Sequence, residues 1–172
     1  TDYEFVDDTT VKITLRDGVK FSSGRTMDAE AVKECLEDLI TVHDRAPYDL
    51  KIDHIEADGL TLTIYTTEPC PAIINYLGDP YGAIIDMDYG IQGEGGSANV
   101  AGTGPYIAEK VTPTQIDLVK NEDYWNGTPK IDELTIRTIT DGSTLANALQ
   151  SGEIQAAYGM AYESYPMFEN DA

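Results

Sequence analysis

Alternating strand patterns, Asp-Gly turn signals and one long amphipathic helix predict an α+β (mixed α/β) fold for this chain. Hairpin signals outnumber strand–helix–strand units, so the sheets should be rich in antiparallel pairs with flanking helices.

Taken in order, Thr10 to Leu15 place Val11, Ile13 and Leu15 on one side, the pattern of a half-buried strand. Asp17-Gly18 turns the chain, and Val19 and Phe21 resume the apolar pattern until Ser22-Ser23-Gly24 breaks it. Asp28 is placed to cap a helix through its carboxylate, with Glu30 adding favourable charge in the first turn. Val32, Cys35, Leu36, Leu39 and Ile40 then form one apolar stripe. Arg45 to Asp49 reads as a loop carrying an aromatic. Ile52–Ala57 and Leu60–Tyr65 flank Asp58-Gly59, the strongest hairpin signal in the chain, with chemistry suited to a type I′ turn. A short helix over Ala72–Leu77 and a turn at Gly78–Tyr81 follow. The stretch from Gly90 to Gly104 carries six glycines and predicts a mobile connection between two parts of the chain. Beyond it, Tyr106–Val111, Gln115–Lys120 and Glu133–Thr138 read as strands and Ser143–Leu149 as a helix stopped by Gly152. Ile154–Tyr158 reads as a last strand.

Charge narrows the function. With 31 acidic and 11 basic residues among 172, the formal net charge is −20. Such a chain repels nucleic-acid phosphates and anionic membranes, so no nucleic-acid partner is expected. No run of about 18 apolar residues is present. The chain opens at Thr1 without Met and enters strand-like sequence at once, as an excised piece of a longer protein would. Cys35 and Cys70 lie in no metal or redox spacing. Cys35 reads as a buried thiol on the helix stripe, and a Cys35–Cys70 disulfide stays open. His43 and His54 lack a second ligand at metal spacing and read as surface residues, so no metal site is expected. The acidic pairs Asp7-Asp8 and Glu37-Asp38 read as solvated faces. Asp86 and Asp88 form a carboxylate pair of the kind chance supplies in an acidic chain. No Gly-x-Ser-x-Gly elbow or His-Glu-x-x-His is present, which argues against an enzyme. Gly102-Thr103-Gly104 lacks the Gly-Lys-Ser/Thr of a phosphate loop. Tyr124-Trp125 precedes an Asn-Gly turn and Pro129, and two readings stand: a stacking surface for a ligand, or a plug that pins the loop to a core.

Three segments carry a resemblance: LRDGVKFSSGRTMDAEAVKECLEDL (Leu15 to Leu39), GTGPY (Gly102 to Tyr106), and NEDYWNGTPKIDELTIRTITDGSTLANALQSGEIQAAYG (Asn121 to Gly159). In this order they closely resemble the family 5 extracytoplasmic solute-binding proteins of ABC transporters, which take up oligopeptides, dipeptides, nickel chelates and related solutes. The resemblance implies a periplasmic-binding-protein-like class II fold, with two lobes closing on a cleft about a hinge. Residues 1–100 would be the small subdomain of the first lobe and 101–172 part of its main subdomain, the second lobe and both termini of the parent lying outside. It also implies a scaffold role for Tyr124 and Trp125 at the edge of a core, and for Gly102, Gly104 and Pro105 as residues of special backbone geometry.

The implied site is a cleft wall without cofactor. Tyr48 stands near where nickel-binding members carry a Trp. Pro80, Tyr81 and Gly82 form a second candidate loop. Nickel-binding members place an arginine at the position of Gly82, where it meets a carboxylate of the chelator; glycine lacks that two-pronged donor. Met160, near the hinge approach, is a further candidate. The expected partners are a peptide, or secondly a metal chelate, and the membrane permease, in the periplasm or on a lipid-anchored cell-surface receptor. A protein-interaction module is the alternative of another class. Strands that pair with the missing termini should be open edges, available to a second copy in a dimer.

Overall fold

The computed structural model describes residues 2–92 and 98–168, in which two separate antiparallel sheets follow one another along the chain. The first has strand order β1-β2-β4-β3, built from β1 (Asp2–Asp7), β2 (Thr10–Thr14), β3 (Ile52–Asp58) and β4 (Thr61–Thr66). Its register aligns Val11 with Ile64 and Ile64 with Ile55, a buried cross-strand row. Helix α1 (Ala29–Val42) lays Val32 and Leu36 on that row, joined by Leu50, Cys70 and Ile73 in one core. Fully burying each such aliphatic side chain contributes about 1.5–3 kcal/mol. Asp28 caps α1 as its sequence predicts, accepting from the Ala31 amide at 2.9 Å.

The β3–β4 hairpin pairs Asp58 with Thr61, so its loop is Gly59-Leu60. Gly59 alone of the two has positive φ, 58°. A single left-handed residue at the first loop position is the pattern of a type II′ turn, which corrects the type I′ expectation. The turn's carbonyls are used: Gly59 accepts from Ala29 at the start of α1 and Leu60 from Leu15.

The RAPYD stretch is not a loop. It contains α2 (Ala46–Leu50), whose Ala46 and Leu50 are buried. Two apolar anchors one turn apart, with Pro47 fixing φ in the first turn, outweigh the turn-like composition. Helix α3 (Ile73–Leu77) leads into a 3-10 turn at Pro80–Gly82. Cys35 and Cys70 are both buried and both free, so the possible disulfide is absent. Their thiols approach the Ala83 carbonyl at 4.0 Å and the Asp49 carbonyl at 3.6 Å.

Of the glycine-rich connection, Gly93, Gly95 and Gly96 lie outside the described residues. Gln92 and Asn99 pair as an isolated bridge across them. Gly102 and Gly104 do not have positive φ, so the expected special backbone angle is not their reason.

The second sheet, β5-β6-β7, comprises β5 (Tyr106–Val111), β6 (Gln115–Lys120) and β7 (Glu133–Arg137). Asn121 is buried and organises the turn after β6. Its amide nitrogen donates to the Gly104 carbonyl at 3.0 Å, and its oxygen accepts from the Asp123 amide. Gly127 has the left-handed φ (91°) that the Asn-Gly turn requires, and its amide bonds the Tyr124 carbonyl. Trp125 is not sunk against a core: it is 42% exposed, with the Arg16 guanidinium 4.6 Å from its ring centre. That cation–π contact joins the Asp-Gly turn after β2 to the loop after β6.

Helix α4 (Gly142–Gln150) is capped by Asp141 and stopped at Gly152 (φ 77°). The expected strand Ile154–Tyr158 does not form. Its alternation has no neighbouring strand to pair with, and the Ile154 amide turns back onto the Ala148 carbonyl of α4. A 3-10 segment, Tyr162–Phe168, packs on α4 instead. Ile131, Ile136, Tyr162 and Tyr165 remain exposed on this second part, and β5 and β7 each have a free edge among the described residues.

Candidate solute-contact face

The face is built where α1 ends. The chain leaves α1 at His43, whose amide still bonds the Leu39 carbonyl. The His43 ring then folds over the start of α2, its Nδ1 accepting from the amides of Arg45 and Ala46, each at 3.2 Å. Because Ala46 and Leu50 hold one side of α2 to the core, Tyr48 points away and is 79% exposed. Lys51 ends α2 in the left-handed region (φ 53°), and its ammonium is tied to Glu68 at 2.7 Å.

The 3-10 turn sits beside α2. Tyr81 is half-buried against the first core, its hydroxyl donating to Asp49 Oδ2 at 2.9 Å. That bond to a carboxylate pushes the Tyr81 phenol above its ordinary pKa. Its ring meets the His43 ring edge-on, 5.2 Å between centres. The Arg45 guanidinium lies 3.6 Å from the same Asp49 oxygen. Gly82 is sterically required: a Cβ there would stand 1.7 Å from the Leu77 carbonyl oxygen.

Tyr48, Pro80, Tyr81 and Gly82 are therefore on neighbouring turns, linked by the Tyr81–Asp49 bond. Pro80 is exposed, and Tyr81 has its hydroxyl committed within the protein. Met160 is not part of this group; it is half-buried between α4 and the segment Tyr162–Phe168. Two open depressions, of about 530 and 300 Å³, lie elsewhere and are lined by none of these residues. The face presents an aromatic ring, a guanidinium and backbone groups, chemistry that can hold a polar solute. Among the described residues no His, Cys, Asp and Glu cluster suits a metal ion. His54 stacks on Tyr65 with ring centres 4.2 Å apart and bonds Asp53 at 2.7 Å.

Sequence reasoning missed two contributors. His43 read as a plain surface residue, although an imidazole three positions before a helix is a candidate acceptor for its free amides. The other is a charge cluster. Asp86 is 2% exposed and accepts from Ser23 Oγ at 2.6 Å and from Arg25 at 3.0 Å. Arg25 also holds Glu34 at 2.9 Å and Asp88 at 3.1 Å. Burial alone would raise the Asp86 carboxyl; the bonds from Ser23 and Arg25 outweigh it and hold it below the ordinary range. Asp86 and Asp88 thus serve a structural clamp, not a catalytic pair.

Two antiparallel sheets in series, the first under a helix-built core and the second open, make up the described fold. In the nickel ABC transporter structure from Bacillus halodurans it recurs at a TM-score of 0.90 and 37% identity, over 98% of this chain and 35% of that one. Residues 2–172 match the family described as bacterial extracellular solute-binding proteins, family 5 Middle, and the chain belongs to that family. It is 36% identical over 150 residues to the nickel-binding protein NikA of Staphylococcus aureus, covering 87% of this chain and 30% of the relative. A NikA structure from that organism, in complex with Ni(L-His)2, superposes with a TM-score of 0.81 at 35% identity, over 88% of this chain and 32% of that one. The glutathione-binding protein GsiB of Salmonella typhimurium is 38% identical over 166 residues, covering 91% of this chain and 32% of the relative. The chain therefore spans about a third of the length of these curated relatives.

Proposed function

We propose that this chain is one wall of the cleft in an extracytoplasmic receptor of an ABC importer, which captures a peptide or similar small solute and passes it unaltered to a membrane permease. Residues 1–100 serve as the small subdomain of the first lobe and 101–172 as part of its main subdomain. The observation that carries the reading is the family match along the chain, joined to an exposed aromatic face at Tyr48. A receptor of this kind buries its solute by closing a second lobe over the first, and differential affinity for the closed state drives capture. Tyr48 supplies the main side-chain contact from this wall, with Pro80, Tyr81 and Gly82 shaping the neighbouring surface and Met160 lying toward the hinge. The open edges β5 and β7 take further strands of the same receptor. The receptor works in the periplasm or as a lipid-anchored protein at the cell surface.

A peptide is the first solute class, and GsiB is the relative whose name points that way. A nickel or other metal chelate is the second reading, favoured by the similarity to NikA and the Bacillus halodurans structure. The bare Gly82 turn weighs against it, because it lends no cation to an anionic chelator. Calorimetry on the full-length receptor with glutathione, short peptides and the nickel–histidine complex separates the two. Replacing Tyr48 by Ala should weaken the bound solute about tenfold, the loss of one exposed aromatic contact, with an unchanged melting temperature. An unchanged affinity removes Tyr48 from the contact surface.

A further inference from the structure

We propose that His43 is the positioning residue of this face: its unprotonated Nδ1 holds α2, and with it Tyr48, in place, so the face loosens as pH falls. The proposal rests on the reading of Tyr48 as a contact, but the latch itself stands on geometry.

The opening amides of α2 are satisfied in an unusual way. Helix starts leave amide donors without intrahelical partners. Here the Arg45 and Ala46 amides both point to His43 Nδ1, at 3.2 Å each. Pro47 has no amide proton, and the Tyr48 amide bonds the Arg45 carbonyl. One imidazole nitrogen thus does the work that a Ser or Asp oxygen does at other helix starts. Both donors are N–H groups, so Nδ1 accepts and the proton of the neutral ring sits on Nε2.

The latch closes on itself. His43 caps α2, α2 presents Asp49, Asp49 accepts from the Tyr81 hydroxyl, and the Tyr81 ring packs edge-on against His43. Loss of one link therefore loosens both turns. A proton on Nδ1 converts the acceptor into a donor aimed at two other donors. The ring meets Tyr81 edge-on, and Asp44, Arg45, Asp49 and Asp79 are the charged groups of the adjoining segments 44–50 and 79–82. An imidazolium is attracted by these carboxylates and repelled by Arg45, and finds no bond at the two amides. The cap is present while the ring is neutral and is lost when Nδ1 takes a proton.

The deciding measurement needs no solute. Amide hydrogen exchange is followed at residues 45–50 of the full-length receptor between pH 8 and 5, corrected for intrinsic rates, in the natural protein, His43→Asn and His43→Ala. Asparagine places Oδ1 where Nδ1 stands and does not titrate. The expected result is an approximately fivefold loss of protection in acid for the natural protein, about the effect of one lost cap. His43→Ala should show that loss at every pH, and His43→Asn should stay protected throughout. Where glutathione or the nickel–histidine complex binds, its affinity should follow the same three curves. Exchange that responds to pH while Tyr48→Ala leaves affinity intact supports the latch and overturns only the contact role of Tyr48. The same acid response in His43→Asn as in the natural protein, or a nitrogen-15 spectrum placing the neutral proton on Nδ1, overturns the latch.

Discussion

Gly82 shows how a single position constrains recognition. Its Cα hydrogen faces the Leu77 carbonyl so closely that any side chain there must displace backbone. Gly82→Ala should therefore move the 3-10 turn, disturb the Tyr81–Asp49 bond and cost about 1–3 kcal/mol, the range for overpacking; urea denaturation reads the change. Gly82→Arg should be no better tolerated, although it supplies the donor that the sequence resemblance associates with chelate recognition. At this scale the sequence was partly legible. Asp28 as a cap and Gly127 in its turn followed from residue type, because each acts on its own neighbours. Asp86 did not, since its burial depends on Ser23 and Arg25, more than 60 residues away. The partner of Trp125 was hidden for the same reason: Arg16 lies in the other part of the chain.

Among elements, the Arg25 cluster ties the turn after Phe21, helix α1 and the segment at Asp86 together. Asp86→Ala should destabilise by about 1.5–3 kcal/mol, the range for hydrogen bonds to a charged group, as measured by thermal or urea unfolding near neutral pH. The sign of its pH dependence follows from a depressed carboxyl. The stabilisation is fully present above the unfolded value and is lost as pH falls through the folded one, below the usual carboxylate range. The gap between the natural protein and Asp86→Asn should close over that acid interval. Most elements could be read from periodicity, since β2, β4 and α1 bury one face each. The failures were α2, where two anchors in five residues are too few to register as a period, and Ile154–Tyr158, where alternation exists without a strand to pair with. The candidate contacts were legible through resemblance, whereas the capping by His43 required the fold.

At the level of the whole molecule, the first sheet carries a connected core and the second lies open. The first has a helix over one face and a connected core; the second leaves Ile131 and Ile136 in solvent, with β5 and β7 unpaired on one side among the described residues. In the full-length receptor the outer amides of β7 should exchange slowly, at the pace of interior strands, and faster in the isolated chain. Equal fast exchange in both would mean that no further strand docks there.

The outermost strand of the first sheet has a different fate. Tyr3 and Phe5 share the face of Val11 and Ile13 but stay exposed, because α1 packs mainly over β3 and β4. Asp2, Glu4 and, past a register shift, Asp7 lie along the same ribbon. Another molecule approaching ribbon to ribbon would have to crowd three anions against three more. The border is thus fenced by its own charge, and it is left sticky only in surroundings acidic enough, or rich enough in cations, to silence the fence.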